Sequence, residues 1–347
     1  MTAGAISQEQ AERAIAEVAA ASTGAIGLAA RHLESGEVLS WQADEPYRTA
    51  STIKVGIHVS VMRRARLGVL DLQAPAELRA GEQIGGSGVL GVLRPGLRCT
   101  VSDLCTLMIV VSDNTATNML IDLCGGAAAV SADLAELGFG GIRLNRPLSL
   151  PPAPLAAGPQ PAAPRAAQPA AAQAGQQTAP QAAQPAAEPD GATPVPELAM
   201  VSPAEFGRLM AGLHAGTVID QQASAEIISV LRHQQHQALF PRAFIDIAEP
   251  GDPPGPDGPA MAHKTGSIGG CRADTGLLYL PAGGGTVAYS AVADRLADRT
   301  MTALAEGEVL LGRLGAIVLA RWWPGPGPVP LRDGWLPAPA APAAQVR

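Results

Sequence analysis

Lysine is almost absent from this sequence. Of the 24 basic residues, 22 are arginine, so Lys54 and Lys264 are the two lysines in a chain of 347 residues. Concentrated positive charge is also lacking, because the net charge is −7 at pH 7 and the longest basic cluster is Arg63-Arg64-Ala65-Arg66. Nucleic-acid binding requires a basic surface, and this composition therefore argues against a nucleic-acid partner.

Long apolar runs and export signals are missing as well. No stretch of about 18 consecutive apolar residues exists, so no membrane-spanning helix is expected. The N-terminal stretch 1–21 has neither a basic segment nor an apolar core, and so it lacks the pattern of a signal peptide. We expect a cytoplasmic protein, unless the start codon has been placed too far downstream.

Cysteine and histidine are too few and too scattered to predict a metal site. The four cysteines are Cys99, Cys105, Cys124 and Cys271. None lies in a Cys-x-x-Cys pair, and we expect buried free thiols in a reducing compartment. His233 and His236 are three residues apart, but the polar sequence around them favours a solvated helix face. No metal, nucleotide or other cofactor is predicted.

The chain does contain enough apolar sequence for a large core. Apolar residues make up 47% of it, which allows one large domain or two small ones. Patterns and turn signals predict strands at 26–33, 37–41, 261–267, 275–280 and 286–293, and helices at 7–21, 203–214, 219–235 and 304–323, with three helical stretches in 101–137. Two strands followed by several helices indicate an α/β (α+β) fold, a sheet with an inserted helical subdomain.

Two segments have a composition that opposes folding. Residues 151–196 are mainly Ala, Pro and Gln, and residues 324–347 are rich in Pro and Ala. Such segments cannot bury enough apolar area to offset their ordering entropy. We predict a flexible insertion at 151–196, a mobile tail at 324–347, and a folded domain over 5–323 with a helical subdomain at roughly 55–220.

The stretch around Ser51 predicts a buried helix with two reactive groups on one face. Apolar residues recur through 53–62 at spacings that fit either a strand or a helix, but the length of the pattern and its basic end favour a helix. Ser51 and Lys54 would then lie one turn apart. A lysine made neutral by burial could take the proton of the serine hydroxyl, and the free N–H groups at the helix start favour a developing negative charge.

Both lysines stand in short motifs that contain serine or threonine. Lys54 closes Ser51-Thr52-Ile53-Lys54 and Lys264 opens Lys264-Thr265-Gly266, a coincidence expected by chance roughly once in several thousand such chains. Between them lies Ser112-Asp113-Asn114. Ser-x-x-Lys, Ser-Asp-Asn and Lys-Thr-Gly, in that order, form a specific three-part signal.

In these motifs the sequence resembles the class A β-lactamases and related penicillin-recognising serine hydrolases. The resemblance also includes the helix before Ser112 and the segment AHKTGSIGGCRADTGLLYL around Lys264, and it covers most of residues 5–148 and 197–323. It implies a mostly antiparallel sheet of about five strands flanked by helices, a helical subdomain, and an active site in the cleft between them. Most β-lactamases are exported, so the missing signal pattern is a departure.

The reaction that this resemblance implies is acyl transfer through a serine ester. Ser51 would attack a carbonyl, with Lys54 as base or proton relay. Ser112 would pass a proton to the leaving nitrogen, and Asn114 would bind the substrate amide. The backbone N–H groups of Ser51 and Ser267 would form an oxyanion hole, in which one donor typically contributes about 10²–10³ in rate.

The same resemblance implies that the second lysine motif binds a substrate carboxylate. Lys264 would bind it by charge and Thr265 by its hydroxyl, with Gly266 beside them. Arg272 is a candidate for a second positive group there, and an exposed arginine at a strand edge is an equal alternative. Asp113 is expected to be structural. The implied partner is a small carboxylate-bearing acyl substrate, bound by a monomer.

Hydrolysis of the ester is the step that lacks an evident base. Efficient class A enzymes carry a glutamate after an Arg-Leu-Asp-Arg segment, and the matching position after Arg143-Leu144-Asn145-Arg146 is Leu148. Loss of a general base typically slows such a step by about 10²–10⁴-fold. Glu188, in the predicted insertion, and then Glu197 are candidates to replace it.

Three functions therefore remain open. The first is a class A β-lactamase-like hydrolase that opens β-lactams at a low rate. The second is an esterase, amidase or acyltransferase of secondary metabolism, favoured by the missing glutamate and the missing signal pattern. The third is a β-lactam binder or sensor trapped as a stable acyl-enzyme. A cell-wall D-Ala-D-Ala peptidase is disfavoured because no export signal or anchor is seen.

Overall fold

The main sheet draws its strands from both ends of the described chain. The computed structural model describes residues 5–151, 197–244, 247–255 and 258–323. The strands are β1 (Ala25–His32), β2 (Val38–Trp41), β3 (Tyr47–Arg48), β4 (Pro75–Glu77), β5 (Arg98–Thr100), β6 (Met200–Val201), β7 (Ala260–Ile268), β8 (Cys271–Tyr279) and β9 (Thr286–Asp294). The helices are α1 (Gln8–Ala20), α2 (Lys54–Arg66), α3 (Val101–Val110), α4 (Asn114–Leu123), α5 (Ala127–Glu136), α6 (Pro203–His214), α7 (Gln221–Leu231) and α8 (Glu306–Trp322).

Five strands pair in the order β2-β1-β9-β8-β7, and every pairing is antiparallel. This confirms the predicted fold class. Strand β8 begins at Cys271, earlier than the predicted start at 275, and the difference has a physical cause. Arg272 and Asp274 interrupt the apolar pattern in the sequence, yet both are buried because each has a partner inside the protein, Arg272 with Glu308 and Asp274 with His263.

Helices α1 and α8 cover one face of the sheet. The predicted capping box at the start of α1 is confirmed, because Ser7 Oγ accepts from the N–H of Gln10 at 3.1 Å and Gln10 Oε1 accepts from the N–H of Ser7 at 2.8 Å. Ile15 of α1, Leu314 of α8 and Tyr289 of β9 are buried in one apolar cluster. This layer joins the two ends of the domain over the sheet.

Helix α2 is the centre of the helical part of the molecule. All of its residues from Lys54 to Met62 are buried, and α3, α4, α5 and α7 each contact it. Its apolar residues therefore point in every direction, which explains why their spacing fitted a strand as well as a helix. In the last turn of the helix, Arg63 and Arg64 form ion pairs with Asp133 of α5.

Helix α7 is shorter than the predicted range 219–235. It ends at Leu231, and the chain then turns so that the side chain of Gln234 is buried. Gln234 Nε2 donates to the carbonyl of Ile109 at 2.9 Å, and Gln234 Oε1 accepts from the N–H of His236 at 3.0 Å. The polar residues that suggested a continuing helix face instead attach this turn to α3.

Several further predictions concern single residues or the chain as a whole. The four cysteines are unpaired, as predicted, with Cys105, Cys124 and Cys271 buried and Cys99 partly exposed. Among the described residues, no helix has both the length and the apolar character needed to cross a membrane. The predicted tail 324–347 and residues 152–196 of the predicted insertion lie outside the described residues.

Candidate active site

Ser51 lies in a short 3₁₀ turn, Ala50–Ile53, that leads directly into α2. Ala50 has a φ of 45°, a conformation that non-glycine residues rarely adopt and that costs about 1–3 kcal/mol. The turn is held by the carbonyl of Thr49, which accepts from the N–H of Thr52 at 3.0 Å and from its hydroxyl at 2.7 Å. Such strain is typical of functional positions.

Strand β7 approaches this turn very closely at Gly266. A Cβ on Gly266 would lie 2.7 Å from the carbonyl oxygen of Thr49 and 3.0 Å from the backbone nitrogen of Ser51. Glycine is therefore required here by the contact with backbone atoms, which cannot move aside. The approach brings Ser267, the next residue of β7, to the same cavities as Ser51.

Lys54 is completely buried and is held by the Ser112-Asp113-Asn114 turn. Its Nζ lies 2.8 Å from the carbonyl oxygen of Ser112, 2.8 Å from Asn114 Oδ1 and 3.1 Å from Ser112 Oγ. Burial, and then the positive charge of Lys264, lower the pKa of Lys54 well below its usual range. In its neutral form the amine has two N–H groups to donate to these oxygens and a lone pair that can accept a proton.

Ser51 and Lys54 are one turn apart, as predicted, but no hydrogen bond joins their side chains. Within the described residues, the hydrogen bonds of Lys54 Nζ go to Ser112 and Asn114, and Ser51 Oγ is not among its partners. Catalytic hydrogen bonds are often long before substrate binds and shorten in the complex. Lys54 is thus positioned by the partners that the sequence motif provides, one turn after Ser51.

Asp113 is structural, as predicted. Its carboxylate accepts from the N–H of Ala116 at 2.9 Å, which caps α4, and from the N–H groups of Val89 at 2.6 Å and Leu90 at 2.8 Å. The side-chain amide of Asn114 also donates to the carbonyl of Gly85 at 2.8 Å. The loop around residues 85–90 is therefore fixed against the turn that holds Lys54.

Lys264 is also completely buried, and its Nζ donates to the carbonyl of Thr265 at 2.8 Å. Burial lowers the pKa of Lys264 to about 7, with the carboxylate of Asp274 acting in the opposite direction. The lysine is therefore partly charged at neutral pH. A substrate carboxylate that reached it would favour the charged form.

Two cavities meet at Ser51. The first cavity, of about 440 Å³, is lined by Ser51, Ser112, Thr265 and His236 among others. The second cavity, of about 270 Å³, is lined by Ser51, Asn114, Leu148 and Glu197 among others. Ser51, Ser87, Ser267 and Met301 line both cavities. The motifs did not predict Ser87, His236 or Met301, since loop residues of these types carry no signal in a single sequence.

Arg272 does not line either cavity. Its guanidinium is 2.6 Å from Glu308 Oε1 and also donates to the carbonyls of Ile268 and Cys271 at 2.9 Å and of Thr300 at 2.5 Å. The alternative of an exposed arginine is wrong, since Arg272 is 1% exposed. All three of its nitrogens are used inside the protein, so the structure does not bring Arg272 to the other site residues.

Arg272→Met is expected to lower the free energy of unfolding by about 3–5 kcal/mol, because it leaves the buried carboxylate of Glu308 without its counter-charge. The double variant Arg272→Met/Glu308→Leu should recover much of this loss. Urea unfolding of the two variants and of the unchanged protein measures both effects. A loss under about 1 kcal/mol in the single variant would contradict the assignment of Arg272 to this ion pair.

Leu148, at the position that matches the family glutamate, lines the second cavity with an apolar side chain. Its backbone is fixed by Asn118, whose Oδ1 accepts from the N–H of Leu148 and whose Nδ2 donates to its carbonyl, both at 2.9 Å. The Leu148 side chain has no ionisable group and cannot act as an acid or a base. Glu188, the first candidate to replace the glutamate, lies outside the described residues, whereas Glu197 lines the same cavity as Ser51.

Comparison with known proteins gives a family match over nearly the whole chain. The sequence profile of the beta-lactamase enzyme family matches residues 10–322. This range includes all three motifs and the complete sheet.

Known structures agree with this match. A beta-lactamase from Sphaerobacter thermophilus DSM 20745 is 27% identical, with a TM-score of 0.66 over 90% of this chain and 97% of that one. PBP-A is 22% identical, with a TM-score of 0.67 over 91% and 97%. An ancestral class A beta-lactamase is 19% identical, with a TM-score of 0.67 over 89% and 99%. A variant of PBP-A was solved as an acyl-enzyme complex with penicillin G.

Proposed function

The chain belongs to the beta-lactamase enzyme family, and we propose that it is a serine hydrolase that opens β-lactams through an ester on Ser51. The observation that carries this proposal is the buried Lys54 amine, 2.8 Å from the carbonyl of Ser112 and from Asn114 Oδ1, one turn after Ser51 at the junction of two cavities. A desolvated amine next to a serine is a recognised way to activate a hydroxyl nucleophile.

Acylation follows from these positions. Ser51 Oγ attacks the β-lactam carbonyl while its proton passes to neutral Lys54. The backbone N–H groups of Ser51 and Ser267 stabilise the oxyanion, because β7 approaches the Ser51 turn at Gly266. The proton then moves from Lys54 to the Ser112 hydroxyl, 3.1 Å away, and from there to the departing nitrogen. Asn114 binds the amide of the substrate side chain.

The first cavity receives the carboxylate of the substrate. Thr265 lines this cavity, and Lys264 precedes it on β7. Arg272 takes no part in this proposal, since Glu308 and three carbonyls occupy its guanidinium. A carboxylate-bearing acyl donor is therefore preferred to a neutral one.

The KM for a carboxylate-bearing substrate is expected to rise as pH increases through 7. Lys264 has a pKa of about 7, so it is charged below this value and neutral above it. Between pH 6 and pH 8 its charged fraction falls about tenfold, and KM should rise by about the same factor. Steady-state kinetics with penicillin G measures this. An ester substrate without a carboxylate is the control, and a flat KM profile with penicillin G would contradict the role of Lys264.

Turnover is expected to be limited by hydrolysis of the ester. Leu148 offers no base at the position where efficient relatives have a glutamate. Without a base at this position, the acyl-enzyme is expected to be long-lived. A burst of nitrocefin colour equal to one molecule per protein, followed by slow steady turnover, is the expected result. No reaction with nitrocefin or penicillin G, together with rapid cleavage of p-nitrophenyl esters, would instead identify an esterase on the same scaffold.

A further inference from the structure

We propose that Glu197 is the general base that activates water for hydrolysis of the Ser51 ester. This inference rests on the proposed function, because it requires an ester on Ser51. Glu197 is an exposed residue just before β6, and it lines the second cavity together with Ser51, Leu148 and Asn114. The cavity, of about 270 Å³, has room for a water molecule beside Ser51.

Among the described residues, two carboxylates line the cavities that reach Ser51. Glu308 lines the first cavity, but it is 7% exposed and its Oε1 accepts from Arg272 at 2.6 Å. Glu197 lines the second cavity, and within the described part of the chain its carboxylate forms no hydrogen bond or ion pair, although its charge contributes to the raised pKa of the nearby Arg48 guanidinium. Only Glu197 therefore combines access to the ester with a carboxylate that is not already committed.

The backbone of Glu197 is fixed, although its side chain is exposed. Asn145 Nδ2 donates to the carbonyl of Glu197 at 2.9 Å, and the N–H of Asn145 donates to the carbonyl of Leu198, also at 2.9 Å. The next residue, Ala199, accepts through its carbonyl from the N–H of Thr49 at 3.2 Å. The bonds from Asn145 fix the backbone at Glu197, and the bond from Thr49 continues the antiparallel pairing of β3 and β6 toward Ser51.

Continuation of this pairing explains why Glu197 reaches the same cavity as the serine. Arg48 on β3 pairs with Met200 on β6. Because the two strands are antiparallel, continuing from Arg48 toward Ser51 on one segment corresponds to continuing from Met200 toward Glu197 on the other. Arg48 also lines the cavity, but its guanidinium is bound to Asp294 at 2.7 Å and to the carbonyl of Gly270 at 3.2 Å.

The chemical step is balanced by the groups present. Glu197 removes a proton from water while the water oxygen bonds to the ester carbon. The tetrahedral intermediate then collapses, the bond between the carbon and Ser51 Oγ breaks, and Glu197, which lines the same cavity as Ser51, returns its proton to the serine oxygen. The products are the free carboxylic acid and the regenerated enzyme. Leu148 is apolar and cannot activate water, so the general base must come from another segment.

The test separates acylation from hydrolysis in wild type and in Glu197→Gln. Each protein is pulsed with penicillin G, freed of excess reagent, and followed by intact-protein mass spectrometry, while nitrocefin in a stopped-flow instrument gives the acylation rate. We expect acylation within about threefold of wild type and an adduct that persists about 10²-fold longer or more. Hydroxylamine, which needs little base assistance, should clear the adduct from both proteins at similar rates. Glu12→Gln on the exposed face of α1 is the matched control.

Each contrary outcome is distinguishable. Equal adduct lifetimes in wild type and Glu197→Gln, or a wild-type adduct that never decays, would overturn the role of Glu197 and leave acylation of Ser51 standing. A prolonged adduct in Glu188→Gln instead would assign the base to the other candidate. Acylation that falls as much as hydrolysis would show a structural defect and would also overturn the proposal. No adduct on any protein would overturn the proposed function itself.

Discussion

Ser51→Ala is expected to abolish covalent modification by penicillin G and to lower nitrocefin turnover by at least about 10⁴-fold. The reason is that no other hydroxyl is both beside the Lys54 relay and at the junction of the two cavities in the proposed mechanism. Ser51 is partly exposed, and within the described residues its hydroxyl makes no hydrogen bond, so the variant should unfold at the same denaturant concentration as wild type.

Ser87→Ala is the matched control for that result. Ser87 lines both cavities, as Ser51 does, but it stands outside the three motifs. Its variant also loses one hydroxyl from the cleft and should retain turnover within about tenfold. Equal losses in the two variants would show that the cleft as a whole, and not the Ser51 nucleophile, had been damaged.

Lys54→Met is expected to slow acylation by about 10²–10⁴-fold, which is the usual contribution of a general base. Methionine keeps most of the length of the side chain in a site that is completely buried. The substitution removes the proton acceptor and leaves Ser51 in place, so an adduct should still form after long exposure to penicillin G. Stopped-flow acylation with nitrocefin measures the change.

The control for Lys54→Met is the pH dependence of the acylation rate, measured in the variant and in wild type. Burial and the charge of Lys264 hold the pKa of Lys54 well below its usual range, so wild-type acylation needs no high pH to obtain the neutral amine. In Lys54→Met, acylation should instead increase steadily with pH, as hydroxide replaces the missing base. Acylation within tenfold of wild type at pH 7 would contradict the role of Lys54.

Much of the fold could be predicted because local signals agree with the tertiary structure. Ser7 and Gln10 form the capping box that their spacing predicts, and Ser202, directly before Pro203, caps α6 with its hydroxyl. The two breaks between α3, α4 and α5 fall at the polar Ser112-Asp113 turn and at Gly125-Gly126, as predicted. Each of these features depends on residues within one turn of each other.

The failures all involve partners that are distant in the sequence. The side chain of Arg272 could not be assigned because Glu308 lies 36 positions away, on α8. The early start of β8 has the same cause, since a strand that contains buried charges looks polar until its partners are known. Similarly, no local pattern shows that Glu197 enters the cavity of Ser51, because that placement depends on bonds from Asn145 and Thr49.

Formation of an ester between Ser51 and a β-lactam can be tested directly. The protein is incubated with penicillin G and digested with trypsin, and the modified peptide is sequenced by mass spectrometry. Cleavage after Arg48 and Lys54 releases residues 49–54, in which Thr49, Ser51 and Thr52 are the hydroxyl-bearing residues. We expect one added penicillin G per protein, located on Ser51. An unmodified peptide, or an adduct on either threonine, would contradict it.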